Sequence, residues 1–354
     1  MTTPSVNVSV AGRTDVGRTR EHNEDTYLVA DLSTGKLCDA TEAQVCHVGP
    51  RGSLFMVADG MGGAAAGELA SALAAEIIHR HLMATWATED DSSREKFAFR
   101  VREAVEEANK QIHTYAKEHP DVRGMGTTVT AAGVFGTDLY LAQIGDSRAY
   151  LVRRGVATQL TKDQSLTQRL VDAGEMTEEQ AEKSERKNII LQALGPDPQV
   201  RVDLTYEELR RGDVLILCSD GLSGQVKREE FAEHAGRITD LAQLCSALID
   251  LANTRGGPDN ITVVAARFEG EGLPLGVATP EPGYHVITLP GDEPEEAEPR
   301  TGFTTSAQMP AYRPAAAASA AGTTPPPVRQ RPPVGLIGAA ILLVAALLYF
   351  LISR

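Results

Sequence analysis

Cysteine is scarce in this chain. Of 354 residues only Cys38, Cys46, Cys218 and Cys245 carry a thiol; none forms a CxxC pair and none lies near a histidine at zinc-finger spacing. That excludes a disulfide framework and a structural zinc module; it leaves reduced thiols, with a Cys38 to Cys46 pairing open. An excess of basic residues is also missing. Lys and Arg total 34 against 48 Asp and Glu, a formal net charge of −14, nearly all of it before residue 271. Nonspecific nucleic-acid binding runs on clustered cations that neutralise phosphates, so no nucleic-acid partner is expected. The start, Met1-Thr2-Thr3-Pro4-Ser5, lacks the basic and apolar regions of a signal peptide, from which a cytosolic globular part is expected. Gly124 and Gly126 are followed by no Gly-Lys-Ser/Thr, so they do not form a P-loop.

The sequence is rich in alternating strands that end in acids. Residues 5–10 alternate at period two, and Thr26 to Ala30 reads as a second short strand just after Glu24-Asp25. Residues 31–52 read as a loop or irregular hairpin. Ser53 to Ala58 is an apolar strand that delivers Asp59-Gly60-Met61-Gly62-Gly63. Two helices follow. Ala64 to about Trp86 carries Leu69, Leu73 and Ile77 in one row, and 94–118 carries Phe97, Val101, Val105, Ala108, Ile112 and Tyr115. Both stripes are core faces.

From Thr127 to Leu160 four strands are joined by connections so short that an antiparallel meander is expected, with Asp146 in a hairpin turn. This excludes a parallel nucleotide-binding fold. Residues 163–195 suit a flap or a solvated helix pair. A strand over 213–218 then delivers Asp220-Gly221, two helices follow at about 227–235 and 239–253, and Asp259-Asn260 stands before the strand Ile261 to Phe268. One Asp-Gly is usually a turn. Here the device recurs, and carboxylates gathered without His or Cys select hard divalent ions, Mg²⁺ or Mn²⁺. Two such ions about 4 Å apart can activate a water and clamp a phosphoryl group. Arg20, just before the Glu24-Asp25 pair, offers a planar fork suited to phosphate.

Arg20 with Glu24-Asp25, Val57 to Gly63, Gly126-Thr127-Thr128, Ile144 to Arg148, Leu217 to Gly221 and Asp259 to Thr262 occur in the order seen in metal-dependent protein phosphatases of the 2C type, which the chain resembles over about residues 5–268. The resemblance implies an α+β fold, an α-β-β-α sandwich of two antiparallel sheets between helix pairs, and phosphoserine and phosphothreonine proteins as substrates. It makes Asp59 and Arg20 catalytic. Asp59 would bridge two ions, the Gly60 carbonyl would bind one, and Asp220 and Asp259 the other. Glu24 and Asp25 would hold metal-bound waters, Arg20 would bind the substrate phosphate, and Asp146 with Asp220 would form a weaker third site. Residues 172–190 would be the flap. A phosphoprotein-binding scaffold on the same fold is the alternative reading, although every ligand position keeps its acid. Where many members have His after the first Asp-Gly, this chain has Met61. A thioether transfers no proton, which leaves metal-bound water or His22 to protonate the leaving group.

After Gly270 the composition turns to Pro, Ala, Gly and Thr, and 271–333 reads as a disordered linker. Residues 334–352 hold no charge and as a helix would measure about 28 Å, enough to span a hydrocarbon core. The sequence thus suggests a phosphatase domain over 1–270, a linker over 271–333 and a membrane-spanning helix over 334–352. The arginines flanking that segment favour a cytoplasmic domain on a single-pass anchor, where a Ser/Thr protein kinase is an expected partner.

Overall fold

The computed structural model describes residues 6–275 and 281–289. The first strands are β1 (Asn7–Asp15), β2 (Asp25–Asp31), β3 (Lys36–Leu37), β4 (Gln44–His47) and β5 (Ser53–Met61), followed by helices α1 (Ala64–Thr85) and α2 (Arg94–Glu118). Next come β6 (Gly126–Thr127), β7 (Val129–Phe135), β8 (Asp138–Ile144), β9 (Arg148–Arg153) and β10 (Val156–Gln159), then the short helices α3 (Leu166–Asp172) and α4 (Glu178–Glu182). The remainder is β11 (Asp203–Glu208), β12 (Val214–Cys218), α5 (Asp220–Ser223), α6 (Arg228–Arg237), α7 (Leu241–Thr254) and β13 (Ile261–Glu269).

All strand pairs are antiparallel and fall into two sheets, ordered β10-β9-β12-β13-β1-β4 and β11-β8-β7-β5-β2-β3, with β6 paired to β5. Alternation along each strand sorts its side chains between two faces. On β5, Leu54, Met56 and Ala58 pack under α1 and α2 with Ile78, Phe97 and Ile112. Phe55 and Val57 face the other way, against Val10, Leu151, Leu217 and Val264 of the opposite sheet. Across that sheet, Ile216, Val263 and Ala265 pack against Phe231, Leu244 and Leu248 of α6 and α7. The two sheets therefore lie face to face, each with helices on its outer side.

Several expectations change. Residues 31–52 are not all loop, since β3 and β4 extend one edge of each sheet. Strand β5 does not stop at Ala58: Gly60 and Met61 pair with Thr127 and Gly126, which carries the strand through the acid. The run from 127 to 160 is not one meander. Strand β8 pairs with β7 and β11, whereas β9 pairs with β10 and β12, so Gly145-Asp146-Ser147 crosses from one sheet to the other rather than closing a hairpin. A short link forces strands to be neighbours, but it does not force them to pair. Gly145 makes the corner at φ 95°, with its amide on Gln164 Oε1 (3.0 Å).

The packed body also continues past Gly270. Leu273 and Leu289 are buried, the Tyr206 amide donates to the His285 carbonyl (3.0 Å), and the Ile287 amide to the Leu204 carbonyl (2.9 Å). The edge strand β11 offers unpaired backbone groups, and residues 285–287 take them. The domain boundary thus falls later than 270. The proposed span 334–352 lies outside the described residues, among which no helix is long and apolar enough to cross a membrane.

Replacing Leu289 with Ala tests the extended boundary. Removal of a buried leucine side chain is expected to cost about 2–5 kcal/mol. Urea unfolding of the full chain reads it directly, and a change below about 0.5 kcal/mol, the ordinary surface value, would mean the segment does not pack on β11.

Candidate metal centre

Along the layer between the sheets the side chains change character toward one edge. On β5 the series Phe55, Val57 continues to Asp59, and on β2 the series Val29, Tyr27 runs back to Asp25. The period of two that buries the valines therefore points both acids into the same space. Asp25 and Asp59 are direct cross-strand partners. From the facing sheet, Thr14 on β1, Thr262 on β13 and Ser219 just beyond β12 occupy the same layer, and the Thr14 and Thr262 hydroxyls lie 2.7 Å apart. Ser219 Oγ donates to Asp25 Oδ2 (2.7 Å) and accepts the Thr262 amide (3.0 Å). An apolar core thus ends in hydroxyls and then in carboxylates.

Other contacts fix the acids by their backbones. The Asp59 carbonyl accepts from the Thr128 amide (2.8 Å) and Thr127 Oγ1 (3.0 Å), while its amide donates to Thr128 Oγ1 (3.0 Å). The Gly60 amide donates to the Glu24 carbonyl (3.1 Å), and a methyl on Gly60 would overlap the carbonyl oxygens of Gly67 and Glu24. That close approach is why glycine follows the aspartate. Asn260 organises the Arg20 loop: Oδ1 accepts the Glu24 amide (2.9 Å), and Nδ2 donates to the carbonyls of His22 (2.8 Å) and Val16 (3.0 Å). Asp220 opens α5, not a bare strand end, and Arg148 holds Asp163 through paired hydrogen bonds of 2.9 and 2.7 Å.

The fold brings the expected acids together. The Asp59 carboxyl is held well above its ordinary value, first by burial and then by the charges of Asp25, Asp220, Asp146 and Asp259. Burial likewise pushes Asp25 up to about 7 and Asp146 up to about 8, the charge of Asp220 adding to both. Asp220 is raised by burial and by the charge of Asp259. Glu24 is raised by burial against the pull of Arg20. Arg20 Nη2 reaches Asp259 Oδ2 at 2.8 Å with half of its side chain exposed.

Among the described residues no group of three or more acids, histidines or cysteines is already gathered into a ready ligand cage. The donor set nevertheless fits hard divalent ions. Asp25 Oδ1, Asp146 Oδ1 and Asp220 Oδ1 are buried with no hydrogen-bond partner, and unpaired buried carboxylate oxygens of this kind are costly without a cation. Cys38, Cys218 and Cys245 are free thiols, and none belongs to this cluster.

Comparison with known proteins agrees with this fold. The family model described as Protein phosphatase 2C matches residues 31–254. The chain belongs to the protein phosphatase 2C family. It is 37% identical over 252 residues to the serine/threonine phosphatase stp of Listeria monocytogenes, covering 71% of this chain and 92% of that one. The crystal structure of the Mycobacterium tuberculosis serine/threonine phosphatase PstP/Ppp matches with a TM-score of 0.62 at 38% identity, over 74% of this chain and 99% of that one. The catalytic domain of PstP in complex with 2 manganese ions matches with a TM-score of 0.60 at 38% identity, over 75% and 99%.

Within this family fold, sequence reasoning passed over Ser219, Ser71 and Asn260 as working residues. Ser71, fully buried on α1, donates to the Glu24 carbonyl (2.6 Å). The period-two continuation of β12 and β13 would have marked Ser219 and Thr262, since a hydroxyl in an apolar series needs a polar neighbour. No comparable signal marks Ser71, which sits in a helix that reads as core.

Two outcomes are expected. Ser219→Ala removes the donor behind Asp25 and should weaken Mn²⁺ binding, read by calorimetry, by about 10–100-fold, the usual cost of losing an outer-shell partner; unchanged affinity would mean that Ser219 does not orient the acid. In the chelated chain the raised carboxyls give the folded state more bound protons than the unfolded state, whose carboxyls titrate near about 4. The stability they contribute at low pH is therefore lost as pH rises through the folded values of about 7 and about 8. The Tm without metal should fall from about pH 5.5 to about pH 8, and Mn²⁺ should narrow the difference. A Tm that rises with pH over that window would contradict the arrangement.

Proposed function

We propose that the chain hydrolyses phosphoserine and phosphothreonine esters on proteins, using Mg²⁺ or Mn²⁺ held by the inter-sheet acids. The observation that carries the reading is the convergence of Asp25, Asp146, Asp220 and Asp259 on Asp59, with buried carboxylate oxygens left unpartnered. Asp59 and the Gly60 carbonyl would hold one ion, and Asp59, Asp220 and Asp259 a second. Glu24 and Asp25 would hold waters beside them, and Asp146 with Asp220 would offer a third, weaker position. When bound, the ions supply Lewis-acid activation of water and neutralise charge on the phosphoryl group.

The protein's own groups do the positioning. Arg20 is a fork whose half-exposed guanidinium reaches the cluster at Asp259, so it can hold a phosphate at the rim while burying little of itself. Ser219, itself held by the Thr262 amide, holds Asp25, and Thr127 and Thr128 hold the backbone of Asp59, so these two acids are fixed before a cation arrives. Met61, the last residue of β5, supplies no proton. His22 is exposed on the Arg20 loop, and its carbonyl accepts from Asn260 Nδ2. The uncharged segment 334–352 suits a tether that would keep this activity near membrane phosphoproteins, Ser/Thr kinases among them.

Phosphate release from a phosphothreonine peptide, measured with Mn²⁺ and with chelator, tests the enzyme. The full chain should release phosphate only with metal, and Asp59→Asn should reduce the rate by more than the about 10–100-fold of an outer-shell change. No Mn²⁺-dependent release from the unmodified chain would turn the reading toward a phosphoprotein-binding scaffold. Membrane fractionation against a chain stopped at Gln330 tests the tether, and equal solubility of the two would remove it.

A further inference from the structure

Two polar residues end the inter-sheet layer beside Asp146. On β8 the side chains that face the opposite sheet are Leu139 and Leu141, and on β7 they are Val134 and Ala132. The same period of two, carried one step further toward the metal edge, brings Gln143 and Thr130 into that layer as direct cross-strand partners. Both are buried, Gln143 with 1% of its surface exposed. A primary amide at the end of an apolar series is costly unless its donors and its acceptor are used. In Gln143 they are used.

Gln143 Nε2 donates to the Gly145 carbonyl (3.0 Å) and to the Ser147 carbonyl (2.7 Å), and the Thr130 hydroxyl donates to Gln143 Oε1 (2.7 Å). One nitrogen thus closes the crossing between the sheets on both sides of Asp146. Other groups at this corner hold one side each. Gln164 donates its amide to the Gly145 carbonyl (2.9 Å) and accepts the Gly145 amide at Oε1 (3.0 Å). Thr130 Oγ1 lies 2.9 Å from the Ser147 carbonyl, and Thr128 Oγ1 lies 2.8 Å from the Ser147 hydroxyl. Between the two carbonyls Asp146 is buried with Oδ1 unpartnered, so the backbone that carries it decides where that oxygen points.

We propose that Gln143 is a positioning residue for the third cation position: by fixing the span between the Gly145 and Ser147 carbonyls it aims the Asp146 carboxylate at a divalent ion shared with Asp220. The inference deepens the phosphatase reading and rests on it for the identity of the ion. With its amide engaged on two carbonyls and its oxygen on Thr130, Gln143 acts on the ion through the backbone of Asp146.

Gln143→Met tests this, since it keeps a long unbranched side chain and removes the amide. The fold should survive it, because the Gly145 carbonyl keeps the Gln164 amide and the Ser147 carbonyl keeps the Thr130 hydroxyl. In calorimetric titration of the metal-stripped, full-length protein with Mn²⁺, the weakest binding step should weaken about tenfold, the lower end of the cost of losing an outer-shell partner, while the tighter steps hold. Hydrogen exchange of the chelated chain should be faster over residues 144–148 in the variant, with no metal involved. Asp146→Asn should abolish the weak step, and Gln143→Met added to it should change Mn²⁺ binding no further, because the two residues act as one unit. Unchanged binding, unchanged exchange at the corner, a further loss in the double variant, or no weak step in the unmodified chain would each overturn the proposal. An unmodified chain that binds Mn²⁺ in these steps but releases no phosphate from a phosphothreonine peptide would instead overturn the phosphatase reading, while titration and exchange still decide the role of Gln143.

Discussion

Like charges forced together at the end of an apolar layer set the terms for the rest of this structure. Asp25 and Asp59 are opposed across neighbouring strands, an arrangement that costs free energy wherever nothing positive lies between them. Asp220, Asp146 and Asp259 add to it from other elements, and burial raises the proton affinity of most of these acids. The protein tolerates the cost because two large apolar interfaces under the helices and one between the sheets hold the strands in register. Register matters more than usual here, because a slip of one residue would turn Asp59 from the inter-sheet space to the helix side.

Rigid support of the acids comes from uncharged groups. Hydroxyls of Ser219, Thr127 and Thr128 and the amide of Asn260 occupy positions where each satisfies two or more partners. Such fully used polar groups are affordable in a buried layer, whereas a half-satisfied one is not. The carboxylate oxygens left over point to cations, so the same layer that completes the fold also defines the chemistry. The segment of α3 and α4 is tied into this frame through Gln164, whose backbone amide and side-chain carbonyl both bond Gly145 at the crossing between the sheets.

Much of the fold was legible from periodicity. The helices at 64–85 and 94–118 and the strand at 261–269 follow from stripes of three and four or of two, because burial on one face must recur with the geometry of the backbone. The site was legible because aspartate followed by glycine recurred at strand termini. What failed was pairing. The short link at Gly145 to Ser147 read as a hairpin, yet it joins strands of different sheets, since chain length fixes how far apart two strands lie but not which edge each one presents. The boundary at Gly270 failed for a related reason: the composition after it is poor in core residues, but Leu273 and Leu289 suffice to hold the segment on an otherwise open edge.

The sequence by itself determined the acids, their order, the strands and helices that carry them and the family pattern, because each is written in local spacing. Only the tertiary structure decided that Asp25 opposes Asp59 and that Ser219 and Asn260 serve acids more than 190 residues away in the chain. Those relations depend on how two sheets are stacked. No local pattern encodes them, since the residues that meet there belong to strands whose partners are chosen by burial across the whole layer.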